Sequence, residues 1–167
     1  MTEIRPLGDD DRSWALEVET ASWGGVPVVA RCGELVDLTG LPGFVAVAEG
    51  DRVGLVSYAV RGDECEIVSI LSLHEGEGIG RALLDAVRAA AVEAGCRRLW
   101  LVTTNDNLRA LAVYQRWGLN IVDFRRDAVT DARRRLKPSI SEYGASGIPI
   151  RHELELELLL EPYAGVE

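Results

Sequence analysis

A chain of 167 residues with 47% hydrophobic and 27% charged side chains is long enough to bury a core and is read as one domain over residues 1–167. Its 18 basic and 27 acidic side chains leave a net charge of −9, which excludes a nucleic-acid-binding surface as its main business. The three cysteines, Cys32, Cys65 and Cys96, are widely spaced and form no Cys-x-x-Cys pair, so neither a zinc site nor a disulfide framework is indicated and no metal is expected.

Free thiols suit a reducing cytoplasm. The opening "MTEIRPLGDDD" turns polar at once, unlike a secretory signal, and no apolar run is long enough to cross a bilayer. A soluble, cytoplasmic protein without a membrane partner is the expectation.

In chain order, "TEIRPL" predicts a first strand. "GDDDRSWALEVETASW" predicts a helix: its aspartates suit the N-terminal dipole, and Trp14, Val18 and Ala21 recur at helical spacing. The glycine- and proline-rich span 24–42 predicts loops with one short strand or helical turn. "GFVAVAEGDRVGLVSYAV" places two β-prone runs around the turn "EGDR", a hairpin, and "CEIVSILSL" adds a third strand to that meander. A helix follows from Ile79 to Ala94, with Ile79, Leu83, Ala86, Val87, Ala90 and Ala94 on one face and Gly95 ending it. "RRLWLVTT" is a buried strand, and "NDNLRALAVYQRWG" is a helix opened by Asn or Asp and closed by Gly118. Then come a strand "LNIVDF", a short basic helix ending near Pro138, a loop "SEYGASGIP", and a final strand in the alternating "IRHELELELLL". Such an order implies an α/β or α+β sheet covered by helices.

Gly76, Gly78 and Gly80 stand at alternate positions between the third meander strand and a helix. The first N–H groups of a helix lack internal partners and carry the positive end of its dipole, so this junction is an anion site. Missing Cβ atoms let a phosphate reach those N–H groups, and Arg81 adds a charged donor. A dinucleotide fingerprint fails, because the sixth position counted from Gly76 is Arg81 and from Gly78 is Leu83. A P-loop fails because "GRA" supplies neither the lysine nor the hydroxyl.

The stretch "EGEGIG", Glu75 to Gly80, resembles the Q/R-x-x-G-x-G/A loop of the GNAT superfamily of N-acetyltransferases, with Glu75 in place of Gln or Arg. "NDNLRALAVYQRWGL" is similar to that family's second motif, with Asn107, Ala110, Val113, Tyr114 and Gly118 on its positions. The two segments occur in the family's order and spacing, and the resemblance runs from about Phe44 to Phe124. It implies a mixed, mostly antiparallel central sheet of about seven strands flanked by helices, its central strands splayed to grip CoA. It also implies an N-acetyltransferase that carries an acetyl group from acetyl-CoA to a primary amine of a small molecule or peptide, as a monomer or homodimer.

By the same resemblance, the backbone at Gly76, Glu77, Gly78, Ile79, Gly80 and Arg81 meets the CoA pyrophosphate. Asn107 meets the CoA arm, and Tyr114 protonates the departing thiolate. Leu71 and Leu73 offer N–H groups to the thioester carbonyl. Glu66 is the candidate general base, alongside His74 or solvent. Trp23 lies in the region that shapes the acceptor pocket. A non-catalytic acyl-CoA sensor or interaction domain on the same fold is the alternative.

The remaining features read as structure. Arg125, Arg126, Arg133, Arg134, Arg135 and Lys137 form a solvated basic helix face. Trp100 and Trp117 belong to the core. Glu153, Glu155 and Glu157 form the wet face of the last strand.

Overall fold

The hydrophobic pattern translates into elements with few surprises. The computed structural model describes residues 1–161. In it, β1 (Thr2–Pro6) passes through a 3-10 turn (Asp9–Asp11) into α1 (Arg12–Ser22), and β2 (Val28–Arg31) and β3 (Glu34–Asp37) follow. The meander comprises β4 (Gly43–Ala48), β5 (Asp51–Arg61) and β6 (Glu64–Ser72), and it leads into α2 (Ile79–Glu93). Next come β7 (Arg98–Thr104), α3 (Leu108–Trp117), β8 (Asn120–Arg125), α4 (Ala128–Arg135) and β9 (Glu153–Leu159).

Seven strands make one sheet in the order β1-β4-β5-β6-β7-β9-β8. The pairs β1–β4, β4–β5 and β5–β6 are antiparallel, and β6–β7 is parallel. The expected mixed, mostly antiparallel sheet flanked by helices is therefore present. One correction concerns span 24–42, which holds a separate two-stranded hairpin, β2–β3, rather than one short strand. Its turn residues Cys32 (φ 52°) and Gly33 (φ 76°) both adopt left-handed backbone, the combination that lets a two-residue turn follow strand twist.

The chain divides into two compact units. The first holds β1, the meander, α2, β7 as far as Leu101, and β9 from Glu157 onward. Ile79, Leu83, Leu84, Val87 and Ala91 of α2 are buried. This stripe is rotated from the expected one: Leu84 and Ala91 are in, while Ala94 is exposed. Gly54 sets how closely α2 approaches β5. A Cβ there would stand 2.6 Å from Ile79 Cγ2 and 3.1 Å from Leu83 Cδ1.

Between β5 and β6 the register shifts from Ser57↔Ser69 to Tyr58↔Ile67, so Val68 is an extra residue. That bulge turns Ser69 and Glu66 onto one face of the sheet, although three positions in a regular strand would oppose them. Beside them, Arg98 donates to Glu157 at 2.9 Å, lies 3.6 Å from Glu64, and stacks 5.2 Å from the centre of the Trp100 ring. Trp100 is half-buried, as is Trp117 of the second unit, so neither sits fully in a core.

The second unit comprises α1, the β2–β3 hairpin, β7 from Val102, α3, β8, α4 and β9 as far as Leu156. On α1 the buried positions are Ala15 and Glu19; Trp14 and Val18 are half-buried and Ala21 is exposed, contrary to the expected stripe. Glu153 is also a correction. Only 2% exposed, it accepts from the Cys32 backbone N–H at 3.1 Å and from Arg125 Nε at 2.9 Å, so it is a buried, paired carboxylate and not part of a wet face.

The basic segment is likewise only partly a solvated face. Arg126, Arg134 and Arg135 are exposed, but Arg125 binds Glu153, Glu155 and Asp123. Arg133 donates to the carbonyls of Ile140, Ser141 and Ile150. Lys137 is buried, donates to the carbonyls of Trp23 at 2.5 Å and Val28 at 2.6 Å, and lies 5.8 Å from the centre of the Trp23 ring. Burial pulls its pKa down, and the two carbonyls hold the ammonium in place.

Two outcomes follow. Gly54→Val overpacks the seat of Ile79 and destabilises the protein by about 1–3 kcal/mol in urea unfolding. Lys137→Met keeps the aliphatic stem but orphans two carbonyls, costing on the order of 2 kcal/mol and lowering the thermal midpoint. Wild-type stability in either variant contradicts the packing described.

Candidate functional site

The first unit presents a strand end, a glycine loop and a helix N-terminus in succession. The Leu73 N–H still donates to Val53 O at 2.9 Å, continuing the β5–β6 ladder one residue past Ser72. The Ser72 hydroxyl then donates to His74 O at 3.0 Å and turns the chain. Gly76 (φ 78°) and Gly78 (φ 73°) take left-handed backbone, which side chains other than glycine adopt only under strain. Gly78 is the N-cap of α2, and the first helical bond runs from Ala82 N–H to Gly78 O at 3.0 Å.

The N–H groups of Ile79, Gly80 and Arg81 therefore stand ahead of the helical ladder. The Gly78 N-cap makes no side-chain cap hydrogen bond and the first turn holds no acidic residue, so no carboxylate of that turn offsets the positive end of this 15-residue helix. Gly80 differs from its two neighbours. Its φ is ordinary, and a Cβ there would meet nothing within 4 Å. The fold does not require a glycine at that position. A diphosphate fits such a cradle. His74 and Glu77 lie 3.9 Å apart across the loop with side chains more than half exposed.

The structure revises the expected carbonyl donors. The Leu73 N–H is taken by Val53, and Leu71, two residues back and opposite Leu55, shares its direction toward β5. By strand alternation it is Ile70 and Ser72 whose N–H groups turn to the other edge. The parallel ladder between β6 and β7 covers Glu64↔Arg98, Cys65↔Leu99 and Glu66↔Trp100. Glu66, the candidate base, is 4% exposed on the face that the bulge shares with Ser69, and it is not a surface residue.

Asn107 and Tyr114 belong to the second unit. Asn107 is the N-cap of α3; its Nδ2 donates to Thr103 Oγ1 at 3.1 Å and its carbonyl accepts from Leu111 N–H at 3.0 Å. Tyr114 is 8% exposed, and burial pushes its phenol up to about 12. Its hydroxyl has no hydrogen-bond partner among the described residues, and no described buried side-chain oxygen is left unsatisfied. The Trp23 carbonyl and ring are both engaged by Lys137, which gives that residue a structural tie as well.

Sequence reasoning missed Gly54 and the bulge at Val68. A glycine inside an apolar strand is a detectable hint of close approach. No pattern in "EIVSILS" reveals which residue the ladder skips. Among the described residues no group of three or more His, Cys, Asp or Glu side chains is placed to hold a metal ion, and no helix is long and apolar enough to cross a membrane.

Residues 12–119 match the Acetyltransferase (GNAT) family. The chain is 43% identical over 131 residues to the uncharacterized protein YdhI of Bacillus subtilis (strain 168), covering 78% of this chain and 81% of that one. It is 40% identical over 80 residues to streptothricin acetyltransferase of Streptomyces lavendulae, covering 45% of this chain and 42% of that one. A GNAT family acetyltransferase from Elizabethkingia anophelis, solved with acetyl-CoA bound, shares the fold with a TM-score of 0.68 at 19% identity, covering 95% of this chain and 98% of that one. With a family match over residues 12–119 and the expected sheet, the chain belongs to the GNAT family of acetyltransferases.

Proposed function

We propose that this protein is an N-acetyltransferase, with acetyl-CoA as donor and a primary amine of a small, cationic molecule as acceptor. The observation that carries the reading is Gly80, a helix glycine in ordinary backbone geometry with open space where its Cβ would be. When bound, acetyl-CoA supplies an activated acetyl thioester. The N–H groups of Ile79, Gly80 and Arg81, with the loop backbone at Gly76, Glu77 and Gly78, bind its pyrophosphate. The outward N–H groups of Ile70 and Ser72 pair with the amides of the pantetheine arm, as an added strand would. Asn107 contacts the same arm.

Tyr114 holds the proton required by the leaving thiolate sulfur. A phenol with its pKa pushed up to about 12 stays protonated through the neutral range and, with no hydrogen-bond partner among the described residues, keeps that proton available. Glu66 takes a proton from the attacking ammonium, with His74 or solvent as the other acceptors. The net charge of −9 favours a cationic acceptor, and the partial likeness to a streptothricin acetyltransferase points the same way.

Gly80→Ala tests the cradle without straining the fold. Alanine in a helix stabilises by up to about 1 kcal/mol relative to glycine, so thermal stability rises while calorimetric affinity for CoA falls. Stability and affinity both unchanged would remove the pyrophosphate from this turn. Tyr114→Phe keeps the ring and removes the proton. It binds acetyl-CoA as the parent does, and turnover of an amine such as streptothricin or spermidine, followed by thiol release, drops about a hundredfold. Because deprotonation waits until near pH 12, the parent shows no alkaline loss of kcat from this group around pH 10. Equal turnover by the two proteins assigns the proton to water instead.

A further inference from the structure

We propose that β6 measures the acyl chain: the onset of its ladder with β7 at Glu66↔Trp100 ends the strand edge open to the donor and restricts the enzyme to acetyl-sized groups. This inference rests on the pantetheine arm running along β6. The strand continues to Ser72, while its parallel pairs with β7 stop at Glu66, so the edge from Ile67 to Ser72 lies past the last pair. Its other edge is occupied by β5 throughout.

Lengths then decide what fits. From phosphate oxygen to sulfur, pantetheine contains about twelve bonds, as many as about four residues of extended backbone, and so spans about 13–14 Å. An arm that enters beside Leu73, where the loop begins, brings its sulfur level with Ser69. From Ser69 to Glu66 the strand advances by only two rises, because the bulge makes Val68 a residue without length, which leaves about 6–7 Å. Van der Waals contact with the closing ladder takes about 3.5–4.0 Å of that. About 3 Å remains, room for a carbonyl carbon and a methyl group.

The end of this track is not yielding. Ile67 and Val68 are 3% and 7% exposed and already packed. Glu66 presents a buried carboxylate, a poor neighbour for a methylene chain. Trp100 is clamped by the Arg98 guanidinium over its ring, and Arg98 is in turn held by Glu157 and Glu64.

Isothermal calorimetry of the full chain with CoA, acetyl-CoA, propionyl-CoA, butyryl-CoA and hexanoyl-CoA tests this without needing the acceptor. Acetyl-CoA binds within about threefold of CoA, whereas butyryl-CoA and hexanoyl-CoA bind at least about tenfold more weakly than acetyl-CoA. An unobstructed apolar track would produce the opposite trend, since each added methylene strengthens binding. Hexanoyl-CoA binding as tightly as acetyl-CoA overturns the ruler and leaves the cofactor reading intact. Failure of CoA itself to bind overturns both.

Discussion

Ile79 packed against Gly54 is the contact on which the candidate site depends. The N-terminal turn of α2 carries the free N–H groups, and its height above the sheet is set by how closely its first side chain approaches β5. Any residue larger than glycine at position 54 would lift that turn away from the end of β6. An anion cradle made of backbone has no side chains with which to adjust, so its geometry is fixed by the helix that bears it. The apolar stripe Ile79, Leu83, Leu84, Val87 and Ala91 therefore stabilises the first unit and also orients the candidate cradle. Gly76 and Gly78 make the turn possible, whereas Gly80 leaves space that the fold itself does not need.

The second constraint is the unequal pairing of β6. It forms a ladder with β5 along its length, but with β7 only at its beginning. A strand that loses one neighbour exposes alternate N–H and C=O groups, which a protein must cover or use. Here the released edge, with the N–H groups of Ile70 and Ser72 turned outward, leads directly into the glycine loop and the open turn of α2. The bulge at Val68 falls within this stretch and gathers Ser69 and Glu66 onto one face. Bulges do this wherever a side chain has to be turned against the strand's own period.

The second unit is assembled differently. Its loops are held by buried and half-buried polar groups that reach main-chain atoms of other segments: Lys137 to Trp23 and Val28, Glu153 to Cys32, Arg133 to three carbonyls, and Asn105 to Pro149, Arg151 and His152. Removing a charge from water is costly, and it is tolerated when each ion meets specific partners. Such ties define one arrangement of the chain more sharply than apolar contacts do, because hydrogen bonds are directional. They also explain why a cluster of cations at positions 125–137 is not simply a solvated surface.

By itself the sequence determined the element order outside span 24–42, the meander, the glycine loop and the α3 motif. These are local properties: hydrophobic period, turn-forming residues and glycine spacing act between near neighbours. It also brought out Tyr114, because a tyrosine within a recognisable helix motif is legible without knowing what surrounds it. Only tertiary structure decided that the Leu71 and Leu73 N–H groups face β5, that Val68 is skipped, that Glu153 and Lys137 are buried, and that Gly54 receives a helix. Each of these depends on register or on a partner far along the chain. A strand's period of two specifies which residues alternate but not which neighbour they face, and a charged residue reads as solvated until the groups that compensate it are brought beside it.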